Sequence, residues 1–266
     1  MKYFNIIKEV FEKRGITEVG LIKVEDLLVQ KEHILKDIDR YRSCIIFCIP
    51  YKTRNNCPDN ISKYAAVYDY HYFFKDFSQS IVEELKARFP DEDFVGFCDH
   101  SPINERDAAL KSGLGIIGKN SMLINEKYGS YIFLGSVFST LDTQAVPKEV
   151  RRCSDCGKCV KACPTGSICG DFDKCLSYIT QKKKKTEKDI EIIKSNKYVW
   201  GCDICQDVCP YNEKCENSNI PFFEENIINH LTTKLILEMD DDEFLKRAFS
   251  WRGKNTILEN LSLFDE

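Results

Sequence analysis

The stretch CSDCGKCVKACP (residues 153–164) sets four cysteines within eleven residues and closes on a proline. Cys153, Cys156, Cys159 and Cys163 follow the spacing C-x2-C-x2-C-x3-C-P. Three thiolates at i, i+3 and i+6 can wrap a cube-shaped iron–sulfur cluster, with the intervening backbone N–H groups pointing at its sulfurs. A fourth cysteine just before a proline is aimed away and ligates the other cluster of a pair. This spacing is the known run of bacterial two-cluster ferredoxins.

Working outward, GCDICQDVCP (201–210) repeats the ending, with Cys202, Cys205 and Cys209 spaced C-x2-C-x3-C-P. Cys175, in DKCLSYIT, can supply the thiolate that this second group lacks. The count then closes at eight ligands for two 4Fe–4S clusters. Structural zinc favours two C-x2-C pairs and four ligands in all. A third C-x2-C member and two Cys-Pro endings exceed that need. The remaining six of the 14 cysteines are Cys44, Cys48, Cys57, Cys98, Cys169 and Cys215. They read as packing residues outside the ligand set.

The chain has 266 residues, 43% apolar and 30% charged, and a net charge of −4. That composition suits a soluble protein of one or two domains and carries no global nucleic-acid signature. No apolar run reaches the length of a membrane span, and the charged N-terminus is unlike a signal peptide. A cytoplasmic location is expected, where thiols stay reduced and many cysteines mean metal.

Before the cysteines, the pattern alternates between helix and strand periods. Helical spacing covers 2–14, strands are expected at 17–24, 43–50 and 94–99, and helices at 25–39 and 62–89. Ser101 is the expected N-cap of a further helix, with Pro102 in its first turn and Gly113 as its stop. Residues 119–141 read as a hairpin turning at 125–129. The fold class expected is therefore a mixed α/β (α+β) N-terminal domain, 1–147, followed by a two-cluster ferredoxin-like module, 148–215, and a helical tail, 216–266. Gly113, Gly115 and Gly118 form G-x-G-x-x-G but follow a helix, so no dinucleotide site is expected. The run Lys182–Lys185 reads as a solvated face or loop.

The segment CDHSPINERDAALKSGLGIIGKNSMLINEKYGSYIFLG (98–135) resembles the core of epoxyqueuosine reductases. Asp99, Pro102, Glu105, Gly113, Gly115, Gly118, Lys119, Gly129, Ser130 and Leu134 stand where that family's pattern has them. ISKYAAVYDYH (61–71), CLSYIT (175–180) and GCDICQDVCPYN (201–212) are similar to three more of its motifs.

The resemblance implies a cobalamin- and iron–sulfur-dependent oxidoreductase that converts epoxyqueuosine in tRNA to queuosine, akin to reductive dehalogenases. It implies Asp99 as proton donor and Ser177 as a corrinoid contact, joined by Lys119, Ser121, Leu134, Tyr70 and His71. It assigns Cys153, Cys156, Cys159 and Cys209 to one cluster, and Cys163, Cys175, Cys202 and Cys205 to the other. A low-potential donor such as flavodoxin or ferredoxin is the expected partner besides tRNA.

The chain departs from the family where Ala66, Val67 and Tyr68 replace two arginines and a glycine, and where Gln181 opens a lysine run. It also stops before the helical repeats by which longer members grip tRNA. Basic residues at 148, 151, 152, 158, 161 and 182–185 remain available for phosphate or for an acidic donor. The alternatives are a corrinoid reductase of a small molecule or of another corrinoid protein, and a non-catalytic two-cluster carrier.

Overall fold

The structure is a computed structural model that describes residues 2–264. The chain divides into two compact units that interleave in sequence. One comprises the stretches up to Pro50, His71–Gly118 and Met122–Asp155; the other comprises Tyr51–Tyr70, Lys119–Ser121 and the chain from Cys156 onward. Linear boundaries at 147 and 215 do not coincide with these units. Residues 51–70 and the tail belong with the cysteine-rich segment.

The first unit is built on an antiparallel sheet in the order β1-β2-β6-β3. Its strands are β1 (Val19–Lys23), β2 (Ser43–Pro50), β3 (Phe94–Cys98) and β6 (Ile132–Ser139). Every residue of β2 is buried, and the two-residue period of a strand sorts them onto two faces. Cys44, Ile46 and Cys48 join a core with Ala108, Ala109 and Leu110 of α3 (Glu105–Lys111). On the other face, Phe47 meets Phe11 of α1 (Lys2–Glu12) at 5.0 Å and Phe77 of α2 (Tyr70–Arg88) at 5.6 Å. Helices on both faces explain why SCIIFCIPY is an unbroken apolar run rather than an alternating one. Burial pushes the Cys44 and Cys48 thiols well up, as suits packing residues.

Several expected elements differ. Residues 25–39 form three short 3-10 turns, Val24–Asp26, Glu32–Ile34 and Ile38–Arg40. The intervening backbone is held extended, since Gln30 and Lys31 N–H both donate to Pro102 O and Asn104 N–H donates to Leu28 O. The long helix begins at Tyr70 rather than 62. Upstream, Ser62 N–H donates to Trp200 O and Asp69 N–H to Lys246 O, which competes with helical bonding. Asn104, not Ser101, caps α3, accepting from Asp107 N–H at 3.1 Å. The 119–141 hairpin does not form as drawn. β5 (Leu123–Ile124) pairs with β4 (Ile116–Ile117), although Asn125 and Gly129 do exchange two backbone hydrogen bonds as the expected turn.

The second unit has its own core around Trp200, Phe249, Ile257 and Ile236. Its helices are α4 (Lys158–Ala162), α5 (Leu176–Thr180), α6 (Glu187–Asn196), α7 (Ile204–Asp207), α8 (Thr233–Glu238), α9 (Asp241–Leu245) and α10 (Lys254–Leu261). Ala66 and Val67 are fully buried. Tyr68 donates to Glu243 at 2.7 Å beneath the Arg247 guanidinium. These positions serve packing here.

A buried carboxyl beneath Asp99 and a gathered set of thiols

Strand β3 ends at Cys98, and the next residue turns sharply. Asp99 has φ 56°, and His100 N–H donates to Cys98 O at 2.5 Å across it. An i to i+2 bond around a positive-φ centre is the rare and strained form of γ-turn. Strain of this kind persists only where the surroundings enforce it, and it clusters at functional sites. The enforcing group is Glu105, at the start of α3, whose carboxyl accepts the Asp99 backbone N–H. It also lies 3.4 Å from Ser136 Oγ, which in turn lies 3.4 Å from Ser101 Oγ.

Burial, aided by the charge of Asp99, pushes the Glu105 carboxyl up to about 8, against the pull of the Asp99 N–H, Ser136 and Lys31. The Asp99 carboxyl, by contrast, is 55% exposed and lies 3.8 Å from His71 Nε2. One carboxyl is thus held inside and the other presented outward. Leu134, on β6, accepts from the Cys98 thiol at 3.2 Å.

Asp99, His71 and Leu134 all belong to the first unit, while Lys119, Ser121 and Ser177 belong to the second, as does Tyr70 at its edge. Ser121 has φ 64°. Ser177, on α5, accepts a side-chain hydrogen bond from Gln181 at 3.3 Å. Glu105 was read from the sequence only as part of a motif. Its role was invisible there because burial depends on where α3 meets β6.

Of the eight thiols, Cys153 lies in the first unit and seven in the second. Left-handed backbone at Asp155, Gly157 and Gly166 coils the first group tightly. Burial pushes Cys202 up to about 12 and Cys205 up to about 11. The charges of Cys205 and Cys175 raise Cys202 further, and those of Cys175 and Cys159 raise Cys205 further. Cys159, Cys175, Cys202 and Cys205 are thus near enough for their charges to act on one another. Burial opposes the Cys163 thiolate too, but Ser167, Thr165 and nearby N–H groups bring it down to about 7.

Among the described residues no three His, Cys, Asp or Glu groups converge as ligands of a single metal ion. A cluster binds each thiolate to a different iron, so its ligands stand farther apart than those of one zinc. The donor set of eight thiols, in C-x2-C-x2-C-x3-C and C-x2-C-x3-C spacing with Cys175 between, fits two iron–sulfur cubes better than zinc. Asn120, unremarked in the sequence, adds a side-chain hydrogen bond to Cys205.

The loop ahead of Cys205 is fixed by Asp203, which is buried and accepts from Lys63 N–H at 2.6 Å and from Gln206 at 2.9 Å. Gly201 has φ 71°, and a Cβ there would meet Ser62 Oγ at 2.0 Å. Of the other cysteines, Cys57 is exposed and Cys215 half-buried, so neither is a core residue as expected. The Cys169 side chain lies outside what is described.

Residues 152–212 match the 4Fe-4S double cluster binding domain. The chain is thus an iron–sulfur protein with a two-cluster module appended to an α/β unit. Over 227 residues it is 34% identical to an epoxyqueuosine reductase of Leadbetterella byssophila, covering 79% of this chain and 75% of that protein. The chain belongs to the epoxyqueuosine reductase family.

Other curated members match over as little as 53% of their own length. In fold, it is similar to the epoxyqueuosine reductase of Streptococcus thermophilus, with TM-score 0.82, 23% identity, and coverage of 99% of this chain and 80% of that one. It is also similar to an epoxyqueuosine reductase solved with a tRNA-Tyr epoxyqueuosine-modified stem loop, with TM-score 0.80, 23% identity, and coverage of 98% and 80%. Among the described residues no helix is long and apolar enough to cross a membrane.

Proposed function

We propose that this chain reduces the epoxide of epoxyqueuosine in tRNA to give queuosine, using two 4Fe–4S clusters and cobalamin. Removing the epoxide oxygen as water takes two electrons and two protons. When bound, the clusters and the corrinoid supply single-electron carriage and the reductive chemistry at cobalt. Cys153, Cys156, Cys159 and Cys209 would hold one cluster, and Cys163, Cys175, Cys202 and Cys205 the other. Lys119, Ser121, Ser177 and Tyr70 offer ammonium and hydroxyl groups suited to the amide-rich rim of a corrin, with His71 and Leu134 as further contacts.

The observation that carries this reading is the strained Asp99 turn. A strand end followed by a positive-φ aspartate presents one carboxyl to the outside, where it can deliver a proton to the departing oxygen. The pairing with His71 keeps that carboxyl aimed. Glu105, held beneath it, fixes the backbone that does the aiming. Electrons would come from a low-potential flavodoxin or ferredoxin in the cytoplasm.

The test is mass spectrometry of tRNA nucleosides after anaerobic incubation of the reduced, reconstituted protein with epoxyqueuosine-containing tRNA. Queuosine should accumulate only when cobalamin is supplied. Accumulation without cobalamin would remove the corrinoid from the account.

A further inference from the structure

The second unit carries a cleft that none of the proposed reductive chemistry uses. It is an open cleft of about 400 Å³, and its lining includes Tyr178, Lys182, Lys183, Lys184, Asp189 and Arg252. Four cationic side chains there face one carboxylate, and that carboxylate is already committed. Asp189 accepts from Thr186 N–H to cap α6, and pairs with Lys182 at 2.9 Å. Lys183 and Lys184 are exposed. The Arg252 guanidinium lies 3.9 Å above the Trp251 ring, and its Nε is buried with no hydrogen-bond partner.

The rings beside these cations are unusual. Trp251 is 56% exposed although its edge rests on the buried Trp200, at 6.0 Å. Phe172 is 74% exposed and lies 5.9 Å from the ring of Tyr178, over which the Lys182 ammonium sits at 5.4 Å. Large aromatic rings left in water forgo burial, so such a group next to cations marks a surface that binds. Phosphates answer the cations, and bases, each with a π-face, answer the rings. An acidic protein would satisfy the charges, but a nucleic-acid strand sets a flat base beside every phosphate and so answers the cations and the three exposed rings together.

We propose that this cleft binds single-stranded RNA, with Lys183, Lys184 and Arg252 taking phosphate oxygens and Trp251, Tyr178 and Phe172 stacking bases. The proposal deepens the proposed function, on which it rests for the identity of the RNA as a tRNA loop. The test is fluorescence anisotropy of the cofactor-loaded protein with an unmodified, labelled stem-loop RNA, across a range of salt. Binding of that probe requires no epoxide and no turnover.

Lys183→Glu/Lys184→Glu should weaken binding at least tenfold and lower the log–log salt slope by about 1.4, from about 0.7 per phosphate contact on a single strand. Trp251→Ala should weaken binding about tenfold with the salt slope unchanged, because stacking releases no counterions. Cluster absorbance and circular dichroism check that both variants remain folded. Wild-type affinity in both variants, or no RNA binding by the wild type, overturns the proposal. Unchanged RNA affinity with slower cluster reduction by reduced flavodoxin reassigns the cleft to an acidic protein and also overturns it. If the RNA losses appear but the wild type never makes queuosine, the RNA site stands and the proposed reaction falls.

Discussion

Two carboxyl groups six positions apart in sequence meet opposite environments. Asp99 is exposed beside His71, while Glu105 is drawn inward against Ser136 and the Asp99 N–H. A carboxyl whose folded value lies above its ordinary one favours folding when protonated. The stability contributed by Glu105 is therefore full below its ordinary value of 4.5 and is lost as pH rises through about 8. Glu105→Gln should flatten the decline of stability over that window, which at its steepest is at most about 1.4 kcal/mol per pH unit. Denaturant midpoints measured from pH 4.5 to pH 8 check this. A decline of wild-type steepness in the variant would show that the carboxyl is not held protonated.

Asp99 could be singled out in the sequence because a family motif surrounds it. Glu105 stood in the same motif, but its partners lie on β6, some thirty residues away in sequence, and no local pattern reports such burial.

At the scale of elements, β2 and β6 set how closely the helices can approach. Gly135 sits opposite Phe47 in the ladder, and a Cβ there would meet the Phe47 ring at 2.4 Å and the Phe74 ring at 2.9 Å. Gly135→Ala should therefore destabilise the first unit by about 1–3 kcal/mol through overpacking, read by thermal unfolding. Unchanged stability would mean that the rings yield more easily than their packing implies. In the cysteine-rich unit, Cys202→Ser should remove one cluster and leave the other, so that iron content falls by about half. Loss of all iron would instead make the two halves of the module interdependent.

Short apolar stretches of strand length made β1, β2 and β3 legible. The segment 25–39 was not, because its apolar residues (Leu27, Val29, Leu35 and Ile38) pack on the core from turns tied to Pro102 rather than from a helix. The small β4–β5 pair was missed for a related reason. Two-residue strands carry no period to read.

At the scale of the whole molecule, the interleaving of the two units could not be read along the chain. Residues 51–70 leave the first sheet, contribute Ile61, Ala65 and Ala66 to the core of the second unit, and return as α2. The tail is equally integral to that unit. Asn260, on α10, is fully buried and donates to both Thr180 O and Val199 O at 2.8 Å. Those carbonyls lie at the end of the helix that follows Cys175 and just before Cys202. Asn260→Ala should leave two buried acceptors unpaired, cost about 1–3 kcal/mol and loosen the cluster that Cys175 and Cys202 would share. Slower growth of the 4Fe–4S absorbance during reconstitution, alongside a lower unfolding midpoint, is the expected result. The cysteine spacing announced the ligands, but the residues that hold them in place come from distant stretches and needed the fold.

The claim on which the rest depends is that the outward carboxyl of the Asp99 turn donates the proton in a reductive reaction. Its most direct test is a parallel measurement on wild-type protein and Asp99→Asn: iron content, bound cobalamin, and queuosine formed in tRNA. The account predicts equal iron and cobalamin in both proteins, with queuosine formation reduced at least a hundredfold in the variant, the scale of lost general-acid catalysis. Queuosine formed at the wild-type rate by the fully loaded variant would contradict it.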